Sequence, residues 1–211
     1  MSDDPHRAKP SPALSAAAAA EWTGLVESVL RGIAHGLNNR AAALAALIEL
    51  TSEPAEQPPV LREILETEQR RVRDLVQAVR TIGAPGGDAE ALMPEDVVAD
   101  ARAVLEQHPD LRDGAVQIDV AQVSPVRAPR QTFARLVLAL AAGLGGGTRT
   151  KPRRLAVTTE GDWLILAADA SAGPTSTLAA ELARHVGGEL LADRYGIRMP
   201  TLAALRQREG R

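Results

Sequence analysis

"RGIAHGLNNRAAALAALIEL", Arg31 to Leu50, sets one histidine and two asparagines inside an alanine- and leucine-rich run. Through and before it, Trp22, Val26, Val29, Ile33, Leu37, Leu44 and Leu47 recur at threes and fours. That period predicts one amphipathic helix from about Ser15 to Thr51. The prolines of "TSEPAEQPP" end it, because proline lacks the backbone donor and clashes with the preceding turn. A second helical period runs from Pro59 to Ile82 on Val60, Leu61, Ile64, Leu65, Val72, Leu75, Val76 and Val79. Residues 15–82 thus read as a helical hairpin. A lone hairpin cannot bury two wide apolar stripes, so a homodimer closing a four-helix bundle is expected.

Around the hairpin, residues 1–14, with the polar "MSDDPHRAKPSP", read as a disordered leader. Residues 83–93 read as a linker, since glycine and proline cluster in "GAPGGDAEALMP" and the helical period stops. From 94 to 211 helices (Glu95 to Gln107, Arg130 to Leu144, Thr177 to Val186) are mixed with strands (Val116 to Val120, Leu155 to Thr159, Trp163 to Asp169, Glu189 to Ala192). This order suggests a helix layer on one face of a mixed sheet, a small α/β sandwich. The closing "YGIRMPTLAALRQREG" either opens as a strand or is wholly a short helix. The fold class is α+β: a helical hairpin forming a dimeric four-helix bundle, followed by that sandwich.

Composition narrows the function classes. With two Trp, one Tyr and one Phe, the core must be built from Ala, Leu and Val, which suits closely packed helices. A net charge of -3 with scattered Lys and Arg gives no electrostatic footprint for nucleic acid. The absence of cysteine excludes a disulfide framework and thiolate metal sites. No run is apolar enough to span a membrane, so a cytoplasmic location without membrane partners is expected.

On a helical wheel His35 lies roughly 200° from the apolar stripe, facing outward. Arg31 sits one turn before it, Asn39 one turn after, and Asn38 flanks it. An exposed neutral imidazole is a good nitrogen nucleophile, and phosphoryl transfer needs unobstructed in-line access to it. Arg31 is placed to screen phosphoryl charge and Asn39 to orient the group or a water. Gly32 and Gly36 each cost about 1 kcal/mol relative to alanine in a helix interior, so each needs a reason. Close packing and a bare approach surface for a partner are both open.

"AHGLNNRAAALAALIEL" resembles the phosphoacceptor motif of sensor histidine kinases and histidine phosphotransferases, and the second domain resembles their ATP-binding domain in its order of elements. The resemblance implies bacterial two-component signalling, with His35 as phosphoacceptor, Asn39 as the residue assisting dephosphorylation, and response-regulator receiver domains as partners. A hybrid sensor kinase is a further partner it allows. The departures matter as much. Gly36 stands where the family carries an acidic general base, and "RQTFARLVLALAAGLGGG" lacks the magnesium-holding asparagine, a hard oxygen donor. After Asp169, "DASAGPTSTLAAEL" leaves no room for the long lid. "GLGGGTRTK", with Lys151, has its glycines at a helix end, the wrong place for a phosphate loop.

The expected function is therefore a histidine phosphotransfer protein of a phosphorelay. His35 would exchange a phosphoryl group with a receiver aspartate without ATP or any cofactor, the magnesium being the receiver's own. The alternatives are a non-catalytic pseudokinase that binds, and may dephosphorylate, a response regulator or sensor kinase, and an active autokinase. His108 and His185 read as helix-end histidines. The basic run "RRVRD", Arg70 to Asp74, reads as a solvated face unless it borders His35.

Overall fold

The structure, a computed structural model, describes residues 13–50, 59–83, 86–145, 148, 151–168 and 175–210. The leader up to residue 12, the proline-rich connector 51–58, Asp169 with the segment to 174, and much of the glycine-rich "GLGGGTRTK" lie outside the described residues.

Two long helices, α1 (Ala16–Leu50) and α2 (Pro59–Gly83), form the hairpin. They run antiparallel, with Gly36 facing Leu75 and Arg40 facing Glu68. The Ser15 hydroxyl caps α1 by accepting the Ala18 N–H at 3.3 Å.

The remaining chain gives β1 (Glu90–Leu92), α3 (Pro94–Leu105), β2 (Val116–Ala121), β3 (Val126–Ala128), α4 (Arg130–Gly143), β4 (Arg153–Glu160), β5 (Trp163–Ala168), α5 (Thr177–His185), β6 (Glu189–Leu190), β7 (Gly196–Pro200) and α6 (Leu202–Glu209). The main sheet is mixed, in the order β2-β4-β5-β7-β6, with β2 and β4 parallel and the other pairs antiparallel. The hairpin-plus-mixed-sheet architecture expected from the sequence is present. Two details were not foreseen. Inside the stretch read as a linker, β1 pairs with β3 in a separate two-stranded sheet. The closing segment resolves into both a strand and a helix, the turn between them capped by the Thr201 hydroxyl, which accepts the Ala204 N–H.

The hairpin's apolar surface divides in two. Leu25, Val29 and Ile33 of α1, with Leu75, Ala78 and Ile82 of α2, belong to the same core as Phe133, Leu136 and Leu140 of α4. This corrects the expectation that the whole stripe awaits a second chain: half is covered by this chain's own helices α3, α4 and α5. The physical reason lies in α4, which is apolar around its circumference and must be covered on the side away from the sheet as well. Polar ties seal the contact. The Glu21 carboxylate of α1 accepts the Leu178 N–H at 3.0 Å, capping α5, while Glu181 of α5 accepts the Ser15 N–H at 2.9 Å. Arg135 of α4 stacks 5.0 Å from the Trp22 ring.

The other half stays uncovered. Leu30, Leu37 and Leu44 on α1 are exposed at seven-residue intervals, and so are Leu65, Val72 and Val79 on α2.

Candidate functional site

His35 is exposed on α1, as its wheel position requires, and borders a cleft of about 590 Å³. Gly32, Gly36 and Ala43 of α1 line the cleft without side chains of any bulk. α2 contributes Glu68, Arg71 and Asp74. The third side is the connector between α3 and β2, through Glu106, Gln107, Arg112 and Asp113.

Gly32 explains how that connector comes so close. A Cβ there would collide with the Gln107 carbonyl oxygen, so glycine is what lets the connector lie against α1 one turn before the histidine. Gly36 has no such constraint, because its Cβ would meet only the Leu75 Cδ2 at 3.9 Å. Of the two readings left open for the glycines, close packing therefore holds at Gly32.

Among the described residues the imidazole has one hydrogen-bond partner. Asn39 Nδ2 lies 3.1 Å from His35 Nε2, so that the amide N–H donates to the ring in the tautomer that leaves Nε2 unprotonated. In that tautomer the amide covers the Nε2 lone pair until the asparagine swings aside. Asn38 and Arg31 are exposed on α1, but neither lines the cleft. The cations that do are Arg40, Arg71 and Arg112.

Beneath the cleft, Glu68 is buried between two guanidinium groups. Arg71 Nη1 donates to its Oε1 at 2.6 Å, and Arg40 Nη1 stands 3.8 Å from its Oε2. Among the described residues, Nε and Nη1 of Arg40 and Oε2 of Glu68 make no hydrogen bond. Buried charges normally saturate their donors and acceptors, so this triad is loosely matched, with one guanidinium in excess.

The connector is pinned by His108. Burial pushes its imidazole below the usual histidine range against the opposing pull of the Asp110 carboxylate, and its Nδ1 accepts the Asp110 N–H at 3.2 Å. Its carbonyl accepts the N–H groups of Leu111 and Arg112. His108 is thus a structural residue of the connector rather than a helix-end charge. His185 does end α5, as read from the sequence.

The run Arg70 to Asp74 borders His35 through Arg71 and Asp74. Sequence reasoning missed Arg40, Glu68, Glu106, Arg112 and Asp113. Arg40 and Glu68 look like ordinary surface charges on their helices, and nothing in "EQHPDLRDG" announces that it folds back onto α1.

Among the described residues no cluster of His, Cys, Asp and Glu is arranged to hold a metal, and no helix is long and apolar enough to cross a membrane. No family model matches this chain, and no curated protein matches it. Solved structures do. The histidine kinase AdeS of Acinetobacter baumannii is similar with a TM-score of 0.42 and 14% identity, over 80% of this chain and 98% of that one. The cytoplasmic segment of the histidine kinase QseC gives 0.36 and 14%, over 72% and 99%. A bacterial phosphotransferase gives 0.38 and 14%, over 90% and 98%.

Proposed function

We propose that the chain is a histidine phosphotransfer protein that exchanges a phosphoryl group between His35 and the aspartate of a response-regulator receiver domain. The observation that supports this reading is the exposed His35 imidazole, with Asn39 3.1 Å from its Nε2, at a cleft lined by Arg40, Arg71 and Arg112 beside Glu68, Asp74, Glu106 and Asp113. In the forward step Asn39 turns away and Nε2 attacks phosphorus in line. The N–P bond forms as the P–O bond to the aspartyl carboxylate breaks. The carboxylate leaves with the electron pair, and the Nδ1 proton passes to water. The receiver supplies the divalent cation that its own aspartyl phosphate needs.

The test is to mix the full chain with receiver domains carrying a radiolabelled aspartyl phosphate, without nucleotide. Label appearing on the chain in acid-labile, base-stable form supports the carrier. Label that only decays to free phosphate supports the alternative reading, a receiver-binding phosphatase, which the Asn39 contact with the imidazole favours.

ATP plays no part in this account. In the resembled family a nucleotide and its magnesium rest on the helix corresponding to α4, "RQTFARLVLALAAG", which here holds no Asn, Asp or Glu. Its residues Thr132 to Ala134 and Leu136 to Ala141 are buried, and Arg135 is occupied with Trp22 and the Ile82 carbonyl. These residues do not fit a magnesium nucleotide. Titration calorimetry with magnesium ATP is expected to give no binding in the micromolar range, and micromolar affinity would restore the autokinase.

The occupant of the exposed heptad faces is a second copy of this chain. Leucine and valine at every seventh position of two adjacent antiparallel helices are the pattern of a four-helix bundle seam. A contiguous apolar face left open on a monomer marks an interaction surface. Light scattering should give the dimer mass at micromolar concentration, and Leu37→Glu with Val72→Glu should give the monomer. A monomeric wild type would overturn this.

A further inference from the structure

The last turn of α4 is closed by a side chain of the α/β domain itself. Tyr195, just before β7, is buried, and its hydroxyl donates to the Leu140 carbonyl at 2.8 Å. Leu140 carries one of the last four carbonyls of α4, the ones a helix leaves without a partner along its own axis. The backbone of Tyr195 is tied to the end of β5, where its carbonyl accepts the Ala168 N–H at 3.0 Å. Burial, with the Glu21 carboxylate adding to it, holds the phenol above the usual tyrosine range, so it stays protonated and can donate. Two glycines make room for the ring. A Cβ at Gly143 would collide with the Tyr195 hydroxyl, and one at Gly196, where φ is 145°, would strike the Leu166 carbonyl of β5. Gly143 therefore leaves α4 bare where the hydroxyl arrives, and Gly196 lets β7 start against β5 directly after the tyrosine.

A magnesium nucleotide does not fit on α4, and Tyr195 gives that misfit a positive cause: the chain fills the place with a ring of its own. Extending the reading that α4 takes no nucleotide, and independently of the carrier reading, we propose that Tyr195 is a built-in ligand. Its phenol plugs the pocket between the last turn of α4 and the end of β5 against a planar ring ligand such as a nucleobase. The α/β domain is then complete without a small molecule. Its seat on the hairpin, through Glu21 at α5 and Arg135 on Trp22, is fixed rather than set by nucleotide occupancy.

Tyr195→Ala in the full chain empties the pocket without changing charge. At equal protein concentration it should melt at least about 5 °C below wild type, as loss of a buried aromatic ring requires. p-Cresol, the tyrosine side chain as a free molecule, should raise the variant's melting temperature saturably and leave the wild type unmoved, because only the variant has the site. Toluene, which lacks the hydroxyl, should raise it less, since the Leu140 carbonyl then receives no donor. Adenosine, a base and sugar without the phosphates that need a cation, should also stabilise Tyr195→Ala and not the wild type. A response to neither p-cresol nor adenosine overturns the inference. A response to p-cresol alone makes Tyr195 an ordinary core residue and overturns it too. If Tyr195→Ala does not fold, Gly143→Ala decides. It should lower the melting temperature by at least about 4 °C in the wild type and by less than half as much in Tyr195→Phe, which lacks the colliding oxygen. Equal losses in the two backgrounds overturn the inference. Micromolar binding of magnesium ATP by the wild type would overturn the plug together with the reading that α4 takes no nucleotide, whereas failure of adenosine to stabilise Tyr195→Ala overturns the plug alone.

Discussion

His35→Ala is expected to lower phosphoryl uptake from a phosphorylated receiver to background, a loss of roughly a thousandfold or more, as removal of a covalent nucleophile requires. Folding stability should change by no more than about 0.5 kcal/mol, because the side chain is exposed and its hydrogen bond is to an equally exposed Asn39. The dimer should be intact. Asn39→Ala separates two roles that one hydrogen bond combines. Removing the amide uncovers the Nε2 lone pair, so acceptance is retained, while the phosphohistidine should lose its phosphoryl group to water more slowly. Faster loss in Asn39→Ala would mean that the amide shields the N–P bond rather than assisting hydrolysis. Retained uptake in His35→Ala would move the acceptor to another residue.

The second large effect concerns two glycines one turn apart that should respond with opposite signs. Gly32→Ala places a methyl group against the Gln107 carbonyl, a backbone atom that cannot rotate away. The α3–β2 connector must move off α1, and overpacking of this kind costs about 1–3 kcal/mol, of which helix propensity returns about 1. The cost should sit at the upper end, because the connector is also pinned at His108. Gly36→Ala meets only the Leu75 methyl at ordinary contact distance and should stabilise by up to about 1 kcal/mol. Urea denaturation of the two variants beside the wild type reads both. Equal effects would show that the connector does not rest on Gly32.

Local patterning carried the reading of the hairpin, since a 3.6-residue period over two long segments leaves few alternatives. The same pattern concealed that each stripe serves two partners. Val29 and Ile33 go to the α/β domain while Leu30 and Leu37 face outward, and all four lie within an arc too wide for a wheel to divide. His35 and Asn39 were legible because a helix brings residues four apart together whatever its surroundings. Arg31 and Asn38 were credited on the same logic, but the cleft opens on the other side of His35, toward Gly32 and Gly36. Arg112 was not legible, since it reaches the site through a packing contact between segments far apart in the chain. The only local trace of that contact is a glycine in α1 whose cost demanded a reason.

Phosphorus NMR of the full chain mixed with a phosphorylated receiver domain, without nucleotide, tests the central claim most directly. The account predicts a phosphoramidate resonance on the chain that is coupled to the His35 ring and absent from His35→Ala. An aspartyl phosphate that decays to inorganic phosphate at the receiver's own rate, with no phosphoramidate resonance at any time, would contradict it.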